Sequence, residues 1–139
     1  MYLRRLPFQG QYTVFAVCDS RGNPVLLDFF SELGPNFQKD LDAMLQLLEA
    51  CAVSGPSRNT EISHKIQGEI WEFIKGRLRV LWFYDQGRIV ICTHGFIKKT
   101  RKTPARELNR AENMRQEYLT AKNEDNIIIQ EETNGGENL

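Results

Sequence analysis

Residues 69–96 read EIWEFIKGRLRVLWFYDQGRIVICTHGF, and the division of this stretch decides the fold. Two short breaks, Lys75-Gly76 and Asp85-Gln86-Gly87, cut it into EIWEFIK, RLRVLWFYD and GRIVICTHGF. Short runs rich in β-branched and aromatic residues are strands. Loops this short join antiparallel neighbours, so the three form a meander. Along Arg77–Tyr84, alternation puts Leu78, Val80, Trp82 and Tyr84 on the core side. Arg77, Arg79, Leu81 and Phe83 take the other side, so the two arginines are expected to project together. His94, Phe96 and Lys98 continue that face on the next strand.

Upstream, Tyr12–Cys18 (YTVFAVC) is a strand that ends in the turn formers Asp19–Asn23. Pro24 suits the first turn of a helix capped by Asn23, which runs through VLLDFFSEL to Gly34-Pro35. A longer helix starts at about Asn36. Its apolar residues Phe37, Leu41, Met44, Leu45, Leu48 and Ala52 recur at helical spacing, and Ser54-Gly55-Pro56-Ser57 ends it. The two helices form a hairpin. Downstream, Thr103 as N-cap and Pro104 at the first helical position open a last helix, with Leu108, Ala111, Met114 and Tyr118 as its buried stripe.

The expected fold is α+β, a single domain over residues 1–120 in the order β-α-α-β-β-β-α, with an antiparallel sheet as its core. Residues 121–139 turn acidic and polar and are expected to be a disordered tail. Ile127-Ile128-Ile129 is the exception, either an edge strand or a segment that orders on binding.

Eighteen basic and eighteen acidic residues balance over the chain but not along it. Residues 64–118 hold twelve Lys/Arg against six Asp/Glu, while residues 119–139 hold one against five. Lys98, Lys99, Arg101 and Lys102 put four cations in five positions, close to a helix N-terminus that itself favours anions. With Arg77 and Arg79 they could line a phosphate-binding cleft. The alternative is half-exposed sheet arginines beside lysines that solubilise a loop.

Cys18, Cys51 and Cys92 are odd in number and set in apolar contexts, which fits buried thiols of a cytoplasmic protein. Two histidines, His64 and His94, are too few for a zinc site, and no metal or cofactor is expected. No apolar run approaches the ~20 residues of a membrane span, and the polar interruptions after Arg4-Arg5 fit mature sequence over a signal peptide. There is no protease triad, phosphate loop or dinucleotide fingerprint. A basic cleft without a carboxylate pair suits RNA, which brings its own nucleophile in the 2′-hydroxyl. Trp71, Trp82 and Phe96 read as core residues in preference to base-stacking platforms.

Residues 64–118 resemble the phage-derived, HigB-like branch of the RelE/ParE toxin superfamily. The likeness rests on Ile70-Trp71-Glu72, on Arg79-Val80-Leu81-Trp82, and on His94-Gly95-Phe96-Ile97-Lys98-Lys99 followed by Thr103-Pro104 and a helix rich in Glu, Ala and Arg. The resemblance implies a type II toxin–antitoxin toxin: a metal-independent, ribosome-dependent mRNA endonuclease (mRNA interferase) that inhibits translation. Its implied partners are a helix-turn-helix, HigA-like antitoxin in a hetero-oligomer, the ribosome and mRNA, with no membrane. It makes Arg79 the ligand of the scissile phosphate, Lys98 and Lys99 catalytic cations, and His94 an acid–base group or a satisfied strand-end histidine. Lys65 matches a basic RNA-binding position, and Arg77, Arg101 and Lys102 extend the RNA-binding surface. Glu72 either orients a cation or makes a salt bridge to a neighbouring strand. Phe73, Ile74 and Lys75 stand where relatives often carry an arginine. A ParE-like gyrase poison without nuclease activity, and an inactive phage-derived binding protein, are the alternatives.

Overall fold

The computed structural model describes residues 1–131. Among the described residues seven strands form one sheet: β1 (Tyr2–Arg5), β2 (Thr13–Val17), β3 (Ser63–Gln67), β4 (Ile70–Lys75), β5 (Leu78–Asp85), β6 (Ile89–Ile97) and β7 (Ile128–Gln130). Their spatial order is β3-β4-β5-β6-β2-β1-β7. Helices α1 (Val25–Ser31) and α2 (Gln38–Ser54), joined through a 3-10 turn at Pro35–Phe37, cover one face. Helix α3 (Ala105–Asn123) covers the other. Among the described residues no helix is long and apolar enough to cross a membrane.

The meander β4–β5–β6 is antiparallel as expected. The sheet as a whole is mixed, which corrects the expected antiparallel core. β2 runs parallel to β6 in the register Thr13↔Ile89, and β1 parallel to β7 in the register Tyr2↔Ile128. Short loops dictate pairing only between consecutive strands, so these long-range pairs leave no local signal. β1, β3 and β7 flank the expected strands, and the element order becomes β-β-α-α-β-β-β-β-α-β. α3 continues to Asn123 and Ile128–Gln130 pair with β1, so the sheet extends past residue 120. Of the expected acidic tail, residues 132–139 lie outside the described residues.

Both sheet faces are buried. Leu78, Val80 and Trp82 pack under the hairpin against Met44, Leu48 and Ala52. Leu81 and Phe83, expected to face away from the core, are equally buried under Ala111 and Tyr118 of α3. Tyr84, expected inside, is 41% exposed. Fully burying one such apolar side chain contributes about 1.5–3 kcal/mol, so two-sided burial of β5 makes it the central element of the fold.

Two expected caps are used differently. Asn23 donates its backbone N–H to Asp19 Oδ1 instead of capping α1. Thr103 does not cap α3; its hydroxyl donates to Glu72. At the far end of α3, the Tyr118 hydroxyl and Lys122 Nζ both donate to Asp85, pinning the helix to the end of β5.

Candidate functional site

The β3–β4 hairpin turns about Gly68, whose φ of +55° suits glycine, and pairs His64 with Glu72. The next pairing sets Glu72 beside Leu81 and Ile74 beside Arg79. Side chains alternate across a strand, so Glu72 and Arg79 share the α3 face. The result is a cluster around a carboxylate that is 1% exposed. Glu72 Oε1 lies 3.4 Å from His64 Nε2 and 3.7 Å from Arg79 Nε, while Oε2 accepts from Thr103 Oγ1 at 2.9 Å. Arg79 Nη1 donates to the carbonyls of Gly76 at 2.7 Å and Leu78 at 3.0 Å. Burial, opposed by the Glu72 charge, pulls the Arg79 pKa down from its ordinary value. Three elements are thereby locked together: β3, the β4–β5 turn, and the loop leading into α3.

Cations gather at the same end of the sheet. The Lys98 N–H donates to the Arg77 carbonyl at 2.8 Å, which fixes the exit of β6 beside the start of β5. Lys99 and Lys102, with Arg106 of α3, line a groove of ≈ 860 Å³ walled by Phe29, Gly95 and Phe96. Thr100 Oγ1 donates to the Lys102 carbonyl at 2.8 Å and shapes this loop. Arg101 is exposed on its outer side. Such a cationic rim beside a partly desolvated arginine can hold a phosphodiester and stabilise added charge on it.

Two expected placements differ, and a third residue, His94, keeps its expected face but is enclosed there. Arg77 precedes β5 and so escapes its alternation; its guanidinium stacks over Phe37 on the hairpin side, 4.9 Å from the ring centroid. It does not project with Arg79. Lys65 pairs with Trp71, which puts it on the hairpin face, and its Nζ lies 3.7 Å from Glu69. His94 reaches the α3 face because of a bulge at Thr93, where Leu81 pairs with His94 but Trp82 pairs with Cys92. It is 1% exposed under α3, and burial, then the Arg110 charge, hold its pKa down at about 4. Glu107 Oε1 lies 3.4 Å from Nε2 without hydrogen-bonding it. The enclosed imidazole is neutral near pH 7 and is shielded from solvent by α3.

His64 and Thr103, which carry no motif that assigns them to the site, join it, and Glu72 is central to it. One signal was present: Gly68 lies midway between His64 and Glu72, so a hairpin centred on it sets them opposite each other. Of the two roles open to Glu72, the structure shows the cross-strand ion contact, 3.7 Å from Arg79 Nε. No group of three or more His, Cys, Asp or Glu side chains among the described residues is placed to hold a metal ion.

A mixed sheet with a helical hairpin on one face, a single helix on the other and a cationic strand end is consistent with a small RelE-like α+β domain. The chain belongs to the phage-derived Gp49-like protein family (DUF891), whose model matches residues 28–116. That family is part of the RelE/HigB toxin-like group. Comparison with curated proteins finds no match. The matched span contains the whole Glu72 cluster and the 98–104 loop.

Proposed function

We propose that this protein is the toxin of a type II toxin–antitoxin system and cleaves mRNA on translating ribosomes in the cytoplasm. The observation that carries this reading is the Glu72-centred cluster, which holds Arg79 beside a cationic loop in a chain of the toxin-like group. The RNA 2′-oxygen attacks the adjacent phosphorus and loses its proton. The bond from phosphorus to the 5′-oxygen breaks, and that oxygen takes up a proton. The products are a 2′,3′-cyclic phosphate and a 5′-hydroxyl, with no metal or cofactor in the scheme.

Arg79, Lys98 and Lys99 hold the phosphate and offset the charge that builds on it; Arg101 and Lys102 extend the contact along the RNA. His64 moves the protons in place of the enclosed His94. It is 39% exposed, its Nδ1 lies 3.0 Å from the Thr60 carbonyl, and Nε2 faces Glu72. Glu72 acts as a positioning residue for both His64 and Arg79. The partners in this scheme are the ribosome, mRNA and a helix-turn-helix antitoxin that forms a hetero-oligomer with the toxin.

The test is to induce the protein and map mRNA 5′ ends on ribosomes. Arg79→Ala should lower cleavage by roughly 10²–10³, as removal of a preorganised charge-stabilising donor does. Intact messages in arrested cells would sink the proposal. A DNA-damage response with translation intact would point instead to a gyrase poison.

A further inference from the structure

A second concave site lies on the opposite face of the sheet. Between the C-terminal end of α2 and strands β3 and β4 is a pocket of ≈ 500 Å³. Trp71 and Tyr84 meet edge to face there, 5.7 Å between ring centroids, and Tyr12 adds a third ring. Gly55 sets the wall beside Tyr12: its φ is +93°, and a Cβ at this position would come within 2.8 Å of the ring. Arg58 and Lys65 line the pocket, and no Asp or Glu does among the described residues. Ser63 also lines it. Ser63 is 3% exposed, and its buried Oγ has no hydrogen-bond partner among the described residues.

These features ask for a ligand with a flat π-surface, a polar edge and a negative charge. Aromatic rings accept any base by stacking, and cations beside them take the phosphate. A buried hydroxyl left without a partner is costly, and a base edge can supply that partner. The Lys65–Glu69 contact at 3.7 Å is solvent-exposed and therefore easily surrendered. We propose that this pocket binds one nucleotide of a single-stranded nucleic acid. The base lies against Trp71 and Tyr84, Ser63 Oγ bonds its edge, and Arg58 and Lys65 hold its phosphate.

Edge strand β3 serves both faces, sending Ser63 and Lys65 to this pocket and His64 to Glu72. An RNA crossing that edge would touch both sites. The binding proposal nevertheless stands whether or not the chain cleaves RNA.

The experiment titrates the four 5′-mononucleotides, inorganic phosphate and an acidic peptide against the full ¹⁵N-labelled chain, followed by amide and indole shifts. Nucleotides should give saturable shifts at Tyr12, residues 54–65, Trp71 and Tyr84, with phosphate alone much weaker there. Tyr84→Ala should weaken binding roughly 5–150-fold, the range for loss of one stacking ring. Lys65→Ala and Arg58→Ala, both at exposed positions, report on the phosphate contact if the Tyr84 variant melts early. Lys39→Ala, on the exposed side of α2, should change nothing. Unmoved signals, equal shifts from phosphate alone, equal competition by the acidic peptide, or shifts confined to residues 98–106 would each overturn the proposal.

Discussion

His94 should make the fold sensitive to mild acid. Its ring is enclosed between β6 and α3, with Thr93 Oγ1 3.2 Å from Nδ1 and Glu107 and Arg110 arriving from the helix. Burial, then Arg110, lower its pKa from 6.5 to about 4. The unfolded chain therefore takes up a proton below pH 6.5 that the folded chain refuses until about pH 4. Stability falls as pH falls through that window and is unaffected by His94 above it. With these two values the loss between pH 7 and pH 5 is about 2 kcal/mol. For a chain of this size that corresponds to about 5–10 °C in Tm. Melts of the wild type and His94→Gln at pH 7, 6 and 5 measure it. The gap between the two curves should shrink as pH falls, because only the wild type carries this proton imbalance. His64 and the carboxylates are common to both proteins and cancel. Acid limbs that run parallel would refute the buried, neutral assignment.

The Asp85 anchor gives a second prediction. Tyr118→Phe removes a hydroxyl that donates to a largely buried carboxylate and should cost about 1–2 kcal/mol in guanidinium unfolding, with Lys122 still holding Asp85. Gly76→Ala should cost about 1–3 kcal/mol in thermal melts, because φ there is +56° and the Asp40 carboxylate occupies the space a Cβ would need. Cys51 and Cys92 should resist an aromatic disulfide reagent at pH 8 and react fully in denaturant. Both thiols are buried, and burial pushes Cys51 up to about 12.

The parts of the fold that were legible are those settled by neighbours in sequence. The strands on either side of Gly76 and Gly87 could pair in only one way, and the α2 stripe from Leu41 to Ala52 showed its own buried side. What stayed hidden depends on distant partners. Nothing in TVFAV says that it lies parallel to IVIC, and Tyr2–Arg5 becomes a strand only because β2 and β7 flank it. The candidate site follows the same division. Arg79 was legible from strand alternation, whereas Arg77 was misplaced because that alternation starts one residue later, at Leu78. The enclosure of His94 needed a bulge at Thr93 and the docking of α3, neither of which periodicity reveals. Trp71 is only partly a core residue: it stacks on Trp82 at 5.3 Å and also lines the pocket.

The pairing of β1 with β7 also bears on how a copy of this protein comes into being. The bond from Arg4 to Gln130 joins residues 126 apart, so β1 waits for that much further chain before its outer neighbour exists. At about 5–20 residues per second, that wait lasts roughly 6–25 seconds on the ribosome. During it the outer edge of β1 carries unpaired amides and carbonyls, open to any extended segment nearby. Closing so wide a loop is entropically costly, and β7, three residues long with Ile128 and Ile129 exposed, gains little from burial when it closes. Until β7 is made, the outer edge of β1 is thus an open seam, and the strand that seals it is the shortest in the sheet.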